Sequence, residues 1–384
     1  MYKSAIASMS LGRCSAGHGL PAKFKAAKDA SLAGIEMFYE DLVDLASAFP
    51  DYPSERSYLQ AAREIHALSE QYALPIIALG PFSNYEGLLD PSARKEKLEE
   101  LHLWFSICRI LGTDLIQIPS TFAPSTQNTG DMPTIIHDLQ QIADIGASYG
   151  FRFAFEALCF GTHIDTWSAS WSVVKGVDRE NFGLCLDTFN IAGREYADPA
   201  SPTGKTPSAD ILFKQSLARM VEELDPKKIF YIQIVDAERL AAPLDEKHEF
   251  HVEGQRPRMS WSRNCRLFLG EQDRGGYLPV MDVVKAICEG LGYTGWVSME
   301  LFNKTLLDRS ESVPEVHADR AMKSWRYVCS EMGWRQEKGL GQAQRQTQEQ
   351  AQIAQKKPVE MIDSEKQAES NSFNAVEVEV FARL

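Results

Sequence analysis

The sequence lacks several features that would each indicate a particular class of protein. No Cys-x-x-Cys pair occurs among its 384 residues, and no apolar run is long enough to span a bilayer. The first residues, MYKSAIASMSLG, lack the long apolar core of a secretory signal peptide. The seven cysteines are odd in number and lie mostly in apolar segments, which indicates buried, reduced thiols. We therefore expect a cytoplasmic protein that is not embedded in a membrane.

Positive charge is scarce as well. The 40 Lys and Arg residues are outnumbered by 53 Asp and Glu residues, which gives a formal net charge of −13. An acidic chain is poorly suited to hold a phosphate backbone, so we expect no nucleic-acid partner. A homo-oligomer is compatible with the sequence.

What the sequence does contain is a regular alternation of short β-rich segments and longer amphipathic segments. The predicted strands are Ser4–Ser10, Gly34–Phe38, Pro75–Leu79, Leu115–Ile118, Phe151–Ala157, Phe182–Leu186, Ile229–Val235 and Trp296–Leu301. The predicted helices are Pro21–Leu32, Ser54–Ala73, Pro91–Leu111, Pro133–Tyr149, Ile164–Lys175, Pro207–Leu224, Pro279–Glu289 and His317–Met332. Eight strands alternating with eight helices predict a single α/β domain, a (β/α)8 TIM barrel, over residues 1–334. A doubly wound open sheet fits less well, since no glycine-rich phosphate-binding motif follows the first strand.

The composition changes after Trp334. Gln336 to Gln355 is rich in Gln and has no apolar period that could be buried, so we expect residues 335–384 to form a low-complexity, disordered or loosely helical tail. Within it, Phe373 to Leu384 alternates apolar and acidic residues like a half-exposed strand, and as a terminal segment it is expected to fray.

Four predicted strands of the second half end in oxygen donors, namely Glu156, Asp187, Gln233 and Glu300. A barrel brings the C-terminal ends of its strands to one face, so these side chains should converge. Three facing carboxylates repel one another unless they are protonated or neutralised, and a divalent cation would neutralise them. All-oxygen ligands suit Mg²⁺ or Mn²⁺, and a nearby histidine would shift the choice toward Mn²⁺, Co²⁺ or Zn²⁺.

The alternative is that each acid is an ordinary polar residue at the end of a strand. Gln233 and Glu300 interrupt otherwise apolar strands, however, where a buried polar group needs a partner. The sequence therefore favours a metal site.

Several short motifs occur in the order found in one known family. They are FAFEAL, GLCLDTFNIAG, IFYIQIVDAE, WVSMELFN, GIEMFYEDL and MSWSRNCRLF. In these motifs the chain resembles the xylose-isomerase-like barrels, the sugar-phosphate isomerase/epimerase group, and more closely the fungal 3-dehydroshikimate dehydratases of quinate catabolism. The resemblance extends roughly from Met1 to Trp334. It implies that Glu156, Asp187, Gln233 and Glu300 bind one divalent ion.

The resemblance also implies a reaction, the conversion of 3-dehydroshikimate to protocatechuate and water. The substrate would be a small carboxylate whose adjacent carbonyl and hydroxyl oxygens can chelate a metal. Coordination of the carbonyl would stabilise the enolate formed when the α-proton is removed, and Glu156 and Glu300 would contribute to catalysis through the metal.

A proton-transfer group must lie near the metal. His163 follows Glu156 in the loop CFGTH, and histidine is the residue most often used for proton transfer, although a loop histidine often only bonds to backbone. Related dehydratases carry a histidine three positions after the metal-binding Asp. Here that position is Asn190, which can bind substrate or water by hydrogen bonds and cannot take a proton.

The substrate carboxylate calls for arginine. The long connection from Ala237 to Tyr277 carries Arg256, Arg258, Arg263 and Arg266 around Ser260, Trp261 and Ser262. Such long loops often bind ligands, although a solvated basic loop is the other interpretation. We expect Arg258, Ser260 and Arg263 to contact the carboxylate, with Arg194 in reserve.

Three other functions remain open. A metal-dependent sugar or sugar-phosphate isomerase or epimerase would need a second acid/base and would have little use for an arginine-rich segment. An endonuclease-like member would need more than eight histidines and a basic face. A non-catalytic binding barrel would not need the complete set of metal ligands.

Overall fold

The computed structural model describes residues 1–334. The predicted C-terminal tail, residues 335–384 with its segment Phe373 to Leu384, lies outside the described residues. Its separation from the barrel at residue 334 therefore stays a prediction.

Eight parallel strands close into a barrel, so the predicted TIM barrel is confirmed. The strands are β1 Lys3–Ala7, β2 Gly34–Phe38, β3 Ile76–Gly80, β4 Leu115–Pro119, β5 Arg152–Glu156, β6 Phe182–Asp187, β7 Ile229–Gln233 and β8 Trp296–Met299. They follow one another around the barrel in chain order, and β8 pairs with β1 to close it. All strand C-termini consequently lie on one face.

Helices surround the barrel. They are α1 Leu20–Asp29, α2 Tyr39–Ser47, α3 Glu55–Tyr72, α4 Pro91–Leu111, α5 Met132–Tyr149, α6 Trp167–Val177, α7 Thr188–Glu195, α8 Ala209–Glu223, α9 Pro257–Cys265, α10 Val280–Lys285 and α11 Val313–Glu331. Asp90, Asp131 and Thr166 each accept a backbone N–H at a helix start, which satisfies donors that the helix itself leaves free. Among residues 1–334, no helix is both long and apolar enough to cross a bilayer.

Three helices were not predicted: α2, α7 and α9. Both α2 and α7 begin directly after a barrel strand. Asp187 is the last residue of β6 and also the N-cap of α7, because its side chain accepts a hydrogen bond from Phe189 N–H. A strand that passes into a helix without a turn residue gives no signal in the hydrophobic pattern. The predicted first strand was too long for a related reason, because Ser8–Leu11 forms a 3-10 turn.

The barrel interior holds a small apolar cluster separate from the main core between strands and helices. Its members are Ala5, Ile77, Ala78, Leu115, Ala154, Cys185 and Tyr231. Since side chains alternate along a strand, the residues two positions after Ala154, Cys185 and Tyr231 also face inward. Those residues are Glu156, Asp187 and Gln233, so the predicted ligands lie directly above the interior core. Six of the seven cysteines are buried, as predicted.

The long connection after β7 is closed at its base. Asp236–Ala237 and Arg266–Leu267 pair as a two-stranded antiparallel ribbon. We call this pair the ribbon. Helix α9 lies within the segment that the ribbon encloses.

Candidate metal centre

Three carboxylates meet at the C-terminal face of the barrel. Glu156 is the last residue of β5, Asp187 the last of β6, and Glu300 follows β8 directly. One carboxylate oxygen from each lies within 4.8 Å of the others, and all three residues are buried. The sequence predicted this convergence, and such a cluster can hold a metal ion.

Gln233, the fourth predicted ligand, ends β7 and is fully buried. It pairs in register with Asp187 on one side and with Ser298 on the other. The four donors thus end four consecutive strands. The Gln233 Nε2 donates to Glu36 Oε1 at 2.9 Å, and its Oε1 accepts from Cys185 Sγ at 3.3 Å.

Two amides hold the Glu156 carboxylate. Asn190 Nδ2 donates to Glu156 Oε1 at 2.7 Å and to Asp187 Oδ2 at 2.9 Å, while its own oxygen accepts from Cys159 N at 2.9 Å. Gln117, a buried residue of β4, donates from Nε2 to the other oxygen, Glu156 Oε2. Gln117 fits only because residue 80 is glycine, since a Cβ there would lie 2.7 Å from Gln117 Oε1. Asn190 therefore orients two candidate ligands as a donor.

A buried cation completes the cluster. Arg266, on the ribbon, donates from Nη1 to Asp187 Oδ2 and to Glu300 Oε2, both at 2.8 Å. Its Nε and Nη2 donate to Ser262 Oγ at 3.1 and 3.0 Å. The guanidinium also lies 4.3 Å from the ring centroid of Phe189. Planar stacking and forked donation are properties of arginine that lysine does not share.

Sequence reasoning included Arg266 in the basic cluster but did not select it. A signal was present, because Arg266 stands in the apolar stretch CRLFLG, and a buried arginine is expected to be paired. What the sequence could not show is that the ribbon turns this residue toward the carboxylates.

Burial controls the electrostatics of the site. It raises the pKa of Glu156 well above its ordinary value, and the neighbouring carboxylates Glu300 and Asp187 raise it further. Burial likewise raises the pKa of Glu300 to about 8 and that of Asp187 above its usual range, while Arg266 opposes both shifts. Carboxylates whose charge is this unfavourable fit a divalent cation, which would stabilise the ionised form of all three.

His163 lies in the loop after β5 and is half-buried. Its ring packs over Gly130, where a Cβ would lie 2.6 Å from His163 Nδ1. The Nε2 atom is buried and has no hydrogen-bond partner among residues 1–334. The cluster that could hold a metal consists of Glu156, Asp187 and Glu300 and does not include His163. The role of His163 in proton transfer stays a prediction.

The predicted carboxylate-binding residues divide into two groups. Arg258 donates to the carbonyls of Gly193 and Ala197, both at 2.8 Å, and so caps the end of α7. Arg194 donates to Asp165 at 2.6 Å near the surface. In both residues, guanidinium donors form hydrogen bonds with other groups of the protein.

Ser260 and Arg263 lie together in α9. Both contact Gln255, whose Nε2 donates to Ser260 Oγ at 2.6 Å and whose Oε1 accepts from Arg263 Nη1 at 2.7 Å. The structure thus brings these two candidates together through Gln255, and their contact with a substrate stays a prediction.

Comparison with known proteins places this geometry in context. The family described as Xylose isomerase-like TIM barrel matches residues 24–327. The chain is 46% identical over 338 residues to the 3-dehydroshikimate dehydratase of Neurospora crassa, and this match covers 86% of the chain and 94% of that relative.

Two further similarities are more distant. The chain is 29% identical over 291 residues to the 3-dehydroshikimate dehydratase of Pseudomonas aeruginosa, which covers 74% of the chain but only 36% of that longer relative. Among solved structures, the IolI protein with a bound zinc atom superposes with a TM-score of 0.62 at 18% identity, covering 86% of this chain and 98% of IolI. This last likeness concerns the fold.

Proposed function

The chain belongs to the xylose isomerase-like TIM barrel family and, within it, to the 3-dehydroshikimate dehydratases, and on this premise we propose that its chemistry occurs at the cluster of Glu156, Asp187 and Glu300. As a hydro-lyase, the enzyme removes water from 3-dehydroshikimate and forms protocatechuate. The observation that supports the location is the cluster of three buried carboxylates, two of which, Asp187 and Glu300, form ion pairs with the buried Arg266. The carboxylates could hold a metal ion that the hydroxyketone of the substrate chelates. The arginine beside them could pair with the substrate carboxylate.

We infer that Glu156, Asp187, Gln233 and Glu300 would hold one divalent ion, Mg²⁺, Mn²⁺ or Co²⁺. All four offer oxygen atoms, as hard cations prefer. When bound, the ion would supply Lewis-acid stabilisation of the negative charge that develops on the substrate carbonyl oxygen as the α-proton leaves.

The protein's own residues would orient the candidate ligands and remove the α-proton. Asn190 and Gln117 hold Glu156 in place through donated hydrogen bonds. Because the Asn190 amide has no basic atom, it cannot accept the α-proton. We assign proton removal to His163, whose buried Nε2 has no partner within the described chain. The β-hydroxyl would then leave with a proton from a general acid, so that the net loss is one water, and tautomerisation would make the ring aromatic.

Arg266 would fix the substrate carboxylate at the edge of the cluster, with Arg263 and Ser260 as the next candidates in the same segment. A relative that is 46% identical over 86% of the chain is a 3-dehydroshikimate dehydratase, which favours the dehydratase over a sugar isomerase.

The test uses the full chain after removal of metal by chelation. We expect that adding Mg²⁺, Mn²⁺ or Co²⁺ together with 3-dehydroshikimate gives protocatechuate, followed by its aromatic absorbance. Turnover that is equally fast with chelator present would refute the metal requirement. Absence of aromatic product with every ion would refute the dehydratase assignment, and interconversion of a ketose and an aldose would favour the isomerase.

A further inference from the structure

A fourth buried carboxylate, Glu36, lies inside the barrel next to the candidate metal centre. It belongs to β2 and is 5% exposed. Its Oε1 accepts two hydrogen bonds, from Tyr231 Oη at 2.7 Å and from Gln233 Nε2 at 2.9 Å. Its Oε2 is buried and has no hydrogen-bond partner among residues 1–334. A buried carboxylate is costly, so apolar filling would be the ordinary choice at this place.

The contact crosses the barrel. In the order of strands around the sheet, β1 and β8 stand between β2 and β7. Glu36 must therefore reach Gln233 through the interior. Tyr231 precedes Gln233 by two residues on β7, so both side chains face inward, and the Tyr231 hydroxyl holds the same oxygen of Glu36. Tyr231, Glu36 and Gln233 form a continuous hydrogen-bonded series.

An amide side chain presents a problem that a carboxylate ligand does not. Gln233 can turn either Oε1 or Nε2 toward a neighbouring cation, and only the oxygen is a useful ligand. A carboxylate at 2.9 Å accepts a hydrogen bond from Nε2 but would repel Oε1. One orientation of the amide is thus strongly favoured. The thiol of Cys185 donates only a weak bond to Oε1, and the oxygen has a second lone pair.

We propose that Glu36 is a positioning residue for the metal centre: by accepting the Nε2–H of Gln233 it fixes the amide with its oxygen, and not its nitrogen, available to the divalent ion. The proposal rests on the proposed function, because it takes Gln233 as a metal ligand. Glu36 lies in the motif GIEMFYEDL of the second strand, far along the chain from all four candidate ligands, and sequence reasoning assigned it no role.

The experiment measures the dissociation constant of Mn²⁺ by the electron paramagnetic resonance of the free ion. Glu36→Leu removes the acceptor, and we expect the Mn²⁺ affinity to fall about 10- to 100-fold, as is usual when a group that orients a ligand is lost. Glu36→Gln keeps an oxygen at the point where Tyr231 Oη and Gln233 Nε2 both donate, so its affinity should fall much less than that of Glu36→Leu. If the charge of Glu36 mattered and not its orienting bond, Glu36→Gln would be as weak as Glu36→Leu.

A double variant tests the orientation directly. A carboxylate at position 233 offers an oxygen whichever way it turns, so Gln233→Glu should make Glu36→Leu harmless. The double variant is then expected to bind Mn²⁺ at least as tightly as Gln233→Glu alone. An equal loss from Glu36→Leu in both backgrounds would overturn the proposal. Glu86→Gln is the matched control, since Glu86 is also buried with an unpartnered Oε2 but lies outside the centre.

A measurement on the wild-type protein covers the case in which Glu36→Leu does not fold. The spectrum of bound Mn²⁺ should show no strongly coupled nitrogen, because Gln233 binds through oxygen. A strong nitrogen coupling would overturn the proposal. Failure of wild type to bind Mn²⁺ would overturn the metal centre and this inference with it, whereas unchanged affinity in Glu36→Leu would overturn only the role of Glu36.

Discussion

The two halves of the barrel contribute to the centre in different ways. An oxygen donor is the last residue of β5, β6 and β7 and the first residue after β8, whereas β1 to β4 place no carboxylate in the cluster of three. The first half instead supplies Glu36 and Gln117, which form hydrogen bonds with Gln233 and Glu156 of the second half. The second half presents the candidate ligands, and Glu36 and Gln117 of the first half help to orient them, together with Asn190 of the second half.

This division has a physical reason. Ligands must stand at the mouth, where a substrate can arrive, while orienting groups must be dry and rigid to be effective. Gln117 lies within β4 and depends on the close approach of Gly80 from β3. We therefore predict that changes to the candidate ligands abolish metal binding and that changes to other residues weaken function by smaller amounts.

The largest effect is expected from the candidate ligands. Glu156→Gln or Glu300→Gln removes one negative charge from the cluster, and turnover and metal retention should both fall to background. Metal content after gel filtration and the rate of protocatechuate formation are the measurements. Glu86→Gln, a buried glutamate of the first half, should keep both. A Glu300→Gln variant with full activity would contradict the division between the two halves.

A smaller effect is expected from His163, which we assign to proton transfer and not to the metal. His163→Ala should lower kcat by about 100-fold or more, which is usual for loss of a general base, while Mn²⁺ affinity stays unchanged. His137→Ala, at an exposed position of α5, is the control. Loss of metal together with activity would make His163 part of the centre, and an unchanged kcat would move the base elsewhere.

The arginines should separate by their contacts. Arg266→Lys loses the forked donation to Asp187, Glu300 and Ser262, and we expect kcat/KM to fall about 10-fold or more. Arg258→Lys, the same change in the same segment, loses bonds to the Gly193 and Ala197 carbonyls and a contact with Asp198, and should affect thermal stability more than kcat/KM. Equal losses of kcat/KM would return Arg258 to the substrate-binding set.

The smallest functional effect is expected at Glu86, in the loop after β3. Burial raises its pKa from 4.5 to about 8, so the folded chain holds an extra proton between these values. The free energy of unfolding should therefore fall as the pH rises from about 4.5 to about 8, and level off above that range. Glu86→Gln removes this component without removing the acceptor for Thr121 N–H.

Thermal unfolding of both proteins across this pH range is the measurement. We expect the variant to gain Tm over wild type as the pH rises, with kcat unchanged. Glu96→Gln, at an exposed position of α4, should show no such trend. A constant difference in Tm at every pH would show that Glu86 does not titrate in the range.

The sequence predicted the barrel and the place of its chemistry because both depend on short-range patterns. Gln233 could be selected without a structure because it interrupts an otherwise apolar predicted strand near its end. Glu36 and Gln117 escaped selection because their importance depends on partners in other strands, which the sequence does not show. Arg266 escaped because its orientation depends on a ribbon of two residues per strand, too short to leave a periodic signal.

The ribbon also bears on how such a barrel could acquire a new specificity. Asp236–Ala237 and Arg266–Leu267 bring the two ends of the long connection together, and the bridge between Cys265 and Asn303 ties it to the loop after β8. With its ends already joined, the enclosed segment can change length at a small cost in loop entropy, since that cost grows only slowly with length. We therefore expect the segment between the ribbon strands to tolerate changes in length and sequence. A transplant between related barrels should carry both ribbon strands, so that the residue at position 266 keeps its place against the carboxylates.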